Sequence, residues 1–197
     1  ESATARVSRG NLWGDLGDHD KALTDYNEAI RINPRLAPAY SNRGLSWLAK
    51  GDAGKALADL DEAIRLAPEM TDAYNNRGIA WRAQGNTGRA IADFSRVIQL
   101  EPKFADAYDS LALIHATSAE TKVRDGKRAV ELAQRACELT EWRNPYYINT
   151  LAAAAAEAGD YARGAELEEK ALGLKAFSPG GESAAGERLE LYRAGKP

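Results

Sequence analysis

The chain has 197 residues, 44% of them hydrophobic and 28% charged, with a formal net charge of −3. That length is ample for a buried core, and the interspersed, nearly balanced charge removes the basic footprint of a nucleic-acid binder. No apolar run approaches the roughly 18 residues that span a bilayer, and a single cysteine, Cys137, gives neither an internal disulfide nor a metal framework.

The chain opens at Glu1 with neither a methionine nor an apolar leader, so an upstream targeting segment, removed on maturation, stays open. The cytoplasm is the expected compartment, and the periplasm the alternative if such a segment existed.

Along the chain, one period dominates. Gly10, Gly44 and Gly78 stand 34 residues apart, as do Trp13, Trp47 and Trp81. Gly17, Gly51 and Gly85 keep the same step, and so do Ala22, Ala56 and Ala90, then Pro34, Pro68 and Pro102. Five positions recurring together mark a repeat protein. Each unit reads as two helices. In the second, Tyr40, Arg43, Gly44 and Trp47 share one helical face, Gly51-Asp52 breaks the chain, and Ala56, Asp59, Leu60 and Ala63 share a face of the next helix. Pro68 closes the unit, since proline cannot continue a helix. Small residues such as Gly44 and Ala56 suit a close helix crossing, and Trp47 fills the space beside them. Burying such a ring stabilises by roughly 1.5–3 kcal/mol.

The third unit carries Tyr74, Gly78, Trp81, Gly85, Ala90, Phe94, Val97 and Pro102, and this pattern resembles the tetratricopeptide repeat (TPR). The resemblance implies an all-α fold: a right-handed α-solenoid of antiparallel helix pairs, about five TPR units in a single domain, plus a C-terminal capping helix. The expected units are 3–36, 37–70, 71–104, 105–144 and 145–178. In the first, Arg6 stands where an aromatic is expected, as either a polar cap or an edge onto further repeats. The fourth has Ala112 for the glycine, His115 for the aromatic and extra residues within 118–125. The fifth has Gly164 and Glu168 at two signature places. After the loop opened by Ser178 and Pro179, residues 182–193 are expected to form the cap, with Leu189 and Tyr192 inward, because a solenoid needs its last face covered.

Arg9, Arg43 and Arg77 hold position 7 of their units, on the packing stripe, and Asp25, Asp59 and Asp93 hold position 23 on the second helix. Units four and five carry Leu111 and Leu151 at the first place, Leu132 and Leu167 at the second. Arginine accompanies aspartate and leucine accompanies leucine, so an ion pair within each hairpin is expected, because a buried charge is costly unless paired. The alternative is an arginine ladder for an anionic partner.

The resemblance implies a concave partner-binding groove built from positions 2, 5, 6, 9, 12 and 13. In this chain these include Asn11, Ser41, Asn42, Leu45, Asn75, Asn76, Ile79, Arg82, Asp109 and Leu113. Some TPR domains grip C-terminal carboxylates through lysine and asparagine. Here Asn11 and Asn42 fall on two such places, but Val7 and Asp72 stand where lysines belong, and Asn76 replaces an arginine. The expected partner is therefore a protein or peptide, neutral or basic rather than acidic, unless these are ordinary solvated faces. The loops at 118–125 and at Trp142 are further candidate contacts.

Chemistry is sparse. His19 lies in a turn, His115 replaces a packed aromatic, and no His, Cys or carboxylate set has metal spacing. No catalytic residue, metal or cofactor is expected. The function reads as a non-catalytic protein- or peptide-binding scaffold, with a self-associating or spacer solenoid of a larger protein as the alternative.

Overall fold

The computed structural model describes residues 2–174, 177 and 179–196. Among these, eleven helices run from α1 to α11 without a strand. They fall into two compact units, Glu1–Glu101 and Pro102–Pro197. The first holds α1 (Ala3–Asp15), α2 (His19–Ile32), α3 (Ala37–Ala49), α4 (Ala53–Leu66), α5 (Thr71–Ala83) and α6 (Thr87–Leu100). The second holds α7 (Ala105–Thr117), α8 (Gly126–Leu139), α9 (Pro145–Glu157), α10 (Tyr161–Gly173) and α11 (Pro179–Arg193). Helices pack in consecutive pairs, α1 on α2, α3 on α4 and α5 on α6, and likewise α7 on α8 and α9 on α10.

The period becomes repeated local chemistry. Gly17, Gly51, Gly85 and Gly159 take φ of 78°, 79°, 73° and 89°, a left-handed turn that glycine adopts without a Cβ penalty. The next residue caps the following helix. Asp18, Asp52, Asn86 and Asp160 accept the backbone N–H three residues on, satisfying a donor the first turn leaves unpaired. At the other junctions Tyr40, Tyr74 and Tyr108 donate to the carbonyls of Pro34, Pro68 and Pro102, each at 3.2 Å.

Close crossings explain the first glycine of each hairpin. A Cβ on Gly10 would lie 2.6 Å from the Tyr26 ring, on Gly44 2.9 Å from Leu60 and on Gly78 2.8 Å from the Phe94 ring. In the fourth hairpin Ala112 replaces that glycine, and its partner place holds the small Ala133. Both are fully buried.

Two helix starts follow from particular residues. Helix α8 starts at Gly126, whose Cβ would meet the Ala158 backbone nitrogen at 2.6 Å, so that junction needs glycine. Helix α11 starts at Pro179 rather than at residue 182. Proline suits a first helical turn because its missing N–H would be unpaired there anyway, so Pro-Gly-Gly begins the helix. Ser178, also placed in that loop, lies outside the described residues. Leu189 and Tyr192 are buried, and α11 packs on α10.

Candidate binding surface

The arginines at position 7 are engaged within their hairpins. Arg43 donates Nε and Nη2 to the two carboxylate oxygens of Asp59 at 2.7 and 2.6 Å, and Arg77 does the same to Asp93 at 2.8 and 2.7 Å. Arg9 makes the equivalent fork to Asp25, which also takes Arg6. The Arg9 bond holds the Asp25 carboxyl below the ordinary carboxylate range, and Asp59 likewise holds Arg43 in its charged form. The remaining Nη1 of Arg43 and Arg77 reaches back 2.7 Å to Asn27 and Asp61, tying each hairpin to the one before.

Beside this lattice lies an amide cluster in the first unit. Asn11 Oδ1 accepts both Asn42 Nδ2, at 2.7 Å, and the Tyr26 hydroxyl, at 2.9 Å. Among the described residues, that leaves the Asn11 amide hydrogens and the Asn42 carbonyl oxygen uncommitted. They stand beside Leu45, which is 48% exposed. One hairpin on, Ile79 is half-buried and Arg82 exposed.

Three of the expected groove residues are withdrawn from contact. Ser41 is 0% exposed, and Asn75 and Asn76 are nearly so. Position 5 turns into the layer between hairpins, where Val7 is also buried. Ser41, Asn75 and Asn76 therefore offer a partner little surface in this structure. In the second unit Asp109 and Leu113 are half-buried. Asp109 lies near Cys137, whose thiol is pushed up to about 12, mainly by burial and then by that charge. Such a thiol is not a nucleophile at neutral pH.

The longer loop of the fourth hairpin is pinned from within: His115 Nδ1 lies 2.8 Å from the Val123 carbonyl, and Asp125 donates its N–H to the His115 carbonyl. Glu168, marked in the sequence only as a departure from the repeat signature, is 0% exposed. Its Oε1 accepts Arg188 Nε at 3.0 Å and Asn149 Nδ2 at 3.1 Å, while Oε2 has no partner among the described residues. Burial pushes the carboxyl up to about 7. Among the described residues no group of three or more His, Cys, Asp or Glu could hold a metal ion. No described helix is long and apolar enough to cross a membrane.

Family models described as TPR repeat and tetratricopeptide repeat match residues 10–51 and 41–103. Residues 10–103 therefore carry tetratricopeptide repeats. No curated protein sequence matches it. Among solved structures, a TPR protein of Thermus thermophilus aligns at TM-score 0.77 and 19% identity, over 96% of this chain and 100% of that one. YrrB, described as a TPR protein with an unusual peptide-binding site, aligns at TM-score 0.69 and 16% identity, over 96% and 93%. The first TPR of Spaghetti (RPAP3), bound to an HSP90 peptide, aligns at TM-score 0.53 and 27% identity, over 54% of this chain and 84% of that one. The fold class is an all-α solenoid of antiparallel TPR helix pairs, an architecture of protein-interaction scaffolds.

Proposed function

We propose that this TPR chain is a non-catalytic scaffold whose first unit binds a protein or peptide segment along α1, α3 and α5. The observation that carries this is the Asn11–Asn42 bridge, which presents one donor and one acceptor outward beside the exposed Leu45. A peptide group offers the matching acceptor and donor, and an apolar neighbour adds area. The peptide-bound Spaghetti domain supports the mode, since it shares this fold at 27% identity. Its peptide is acidic, whereas the exposed carboxylates here, Asp15 and Asp72 among them, favour a neutral or basic one. The engaged arginines support the same preference. The net charge of −3 argues against nucleic acid. The test is peptide display on the intact protein. Peptides should be recovered, and Leu45→Glu should lose them while keeping the helical spectrum. Recovery unaffected by Leu45→Glu and Asn42→Ala overturns the reading.

A second reading, self-association, has one observation behind it. Leu12 and Leu16 are 63% and 75% exposed, while the places matching Leu12 in later hairpins, such as Ala80 and Ile114, are buried. Light scattering through a dilution series decides it: a concentration-dependent dimer favours this reading and a strict monomer removes it.

A further inference from the structure

One place in the first unit differs from its counterpart one repeat on. Asn11, Gly14, Asp15, His19, Tyr26 and Asn42 line a cavity of about 300 Å³ between α1, the start of α2 and α3. Leu45 and Ser46 complete its lining. The same places 34 residues on hold Leu45, Leu48, Ala49, Ala53, Leu60 and Asn76. There Leu48 packs against the cluster that contains Leu60 and Ala80, and the space is filled. At Gly14 it is open: a Cβ would meet only the Tyr26 hydroxyl, at 4.0 Å.

The polar atoms left over around this cavity are mainly acceptors. The Asp15 carboxylate makes no hydrogen bond or ion pair among the described residues, and neither does the Asn42 carbonyl oxygen. The Tyr26 oxygen, having donated to Asn11, keeps its lone pairs. His19 Nδ1 is buried without a hydrogen-bond partner among the described residues. Asp15 is felt inside the cavity: burial first, and then its charge, push the Tyr26 phenol up to about 12. The Asn11 amide group is the uncommitted donor.

We propose that this cavity is a subsite for a cationic side chain, an arginine of the segment bound along the first unit. The assignment rests on the groove reading above and sharpens it. A guanidinium is donor-only, with five N–H groups in a flat fork. It can meet Asp15 with a charge-assisted pair while reaching Asn42 and Tyr26 from the same plane. A carboxylate or phosphate would face Asp15 with like charge, and an apolar side chain would leave several acceptors unmet. Gly14 is then the residue that makes room, and Leu48 shows what happens to the same place when nothing needs to enter.

Titration of the intact protein with N-acetyl-arginine-amide, followed by amide NMR, tests this directly. A saturable, weak interaction is expected, with shifts at Asn11, Gly14 and Asn42. N-acetyl-lysine-amide with its free ε-amine should bind more weakly, and N-acetyl-glutamate-amide not at all. Asp15→Asn should weaken arginine binding about tenfold, since a charge-assisted bond becomes neutral. Gly14→Leu should abolish it with a melting temperature at or above that of the parent, because it repeats the filled arrangement at Leu48. Equal shifts with the glutamate analogue, or undiminished binding in Gly14→Leu, overturn the proposal. Peptide display separates the two readings. Peptides lost on Leu45→Glu but not enriched in arginine overturn the subsite alone. A display that recovers nothing overturns the groove and leaves the titration to decide the subsite.

Discussion

Up to Glu101, each helix hairpin is sealed by an arginine and an aspartate; beyond Pro102, the same two places hold leucines. Arg77 Nη2 lies 2.7 Å from Asp93, with side chains 21% and 7% exposed. In the second unit Leu111, Leu132 and Leu151 are buried, and Leu167 is half-buried against Ala152 and Tyr192. Two solutions of one packing problem therefore coexist in a single polypeptide. A charged pair must be made whole, because each partner is the main compensation for the water the other loses, whereas an apolar pair needs only shape. Charge returns in the second unit at a different place. Glu168 occupies the position held by Tyr26, Leu60 and Phe94, and its ion-pair partner is Arg188, from the helix that follows the repeats.

The sharpest way to break this comparison is to convert one solution halfway. Arg77→Leu leaves Asp93 buried with its fork removed and Asp61 without its contact. It should cost about 3 kcal/mol, in the range for a buried charge stripped of its partner. Arg77→Leu with Asp93→Leu recreates the arrangement of Leu111 and Leu132 and should recover most of that loss. Urea unfolding of the four proteins measures the coupling. Simple additivity would mean that the fork contributes nothing as a pair.

Acidity provides the next contrast. A carboxyl raised to about 7 in the folded chain, against roughly 4.3 when unfolded, makes the folded state bind the extra proton between those values. Stability therefore rises as pH falls from about 7 towards 4.5, and the full penalty of burying the charge is present above 7. The lowered Asp25 acts oppositely and elsewhere, since its contribution disappears only as pH falls below the ordinary carboxylate range. Between pH 8 and 5 the wild type should gain about 2 kcal/mol from Glu168, and Glu168→Gln should remove that gain. Matching pH slopes in the two proteins would show that Glu168 is not the group responsible.

Much of the fold was legible because the period binds local and long-range requirements together. Gly44 has to be small where Leu60 is large, Gly51 has to turn, and Asp52 has to cap. The binding surface was less legible. A period places Ser41 and Asn42 side by side, but burial does not follow position alone: Ser41 is enclosed and Asn42 half-buried, while Asn75 and Asn76 at the same two positions are both buried. The Gly14 cavity was visible in principle as a glycine aligned with Leu48, yet only the third dimension shows that Asp15, His19 and Asn42 converge on it. Glu168 stood out only as a departure from the signature, and its pairing was not legible, since Arg188 lies outside the repeats and nothing periodic links the two.

The smallest effect distinguishes how the units use a cation over tryptophan. Lys55 Nζ sits 4.3 Å from the Trp47 ring, whose helix is already packed against Leu57 and Leu60. Lys170 Nζ sits 4.0 Å from Trp142, a loop residue with φ of 60° that follows Glu141 at 51°. Two successive non-glycine residues in the left-handed region are strained and persist only if something holds them. Lys55→Met should therefore cost no more than about 0.5 kcal/mol and leave local motion unchanged. Lys170→Met should cost about the same in global stability but loosen its loop, because the ring loses the contact that pins it. Hydrogen exchange at the Trp142 amide, which donates to the Cys137 carbonyl at 2.8 Å, reports this locally. Faster exchange there, with none around Trp47 in the matching variant, is the expected pair of results. If both sites respond alike, the loop is held by its backbone bonds and the cation is incidental in both units.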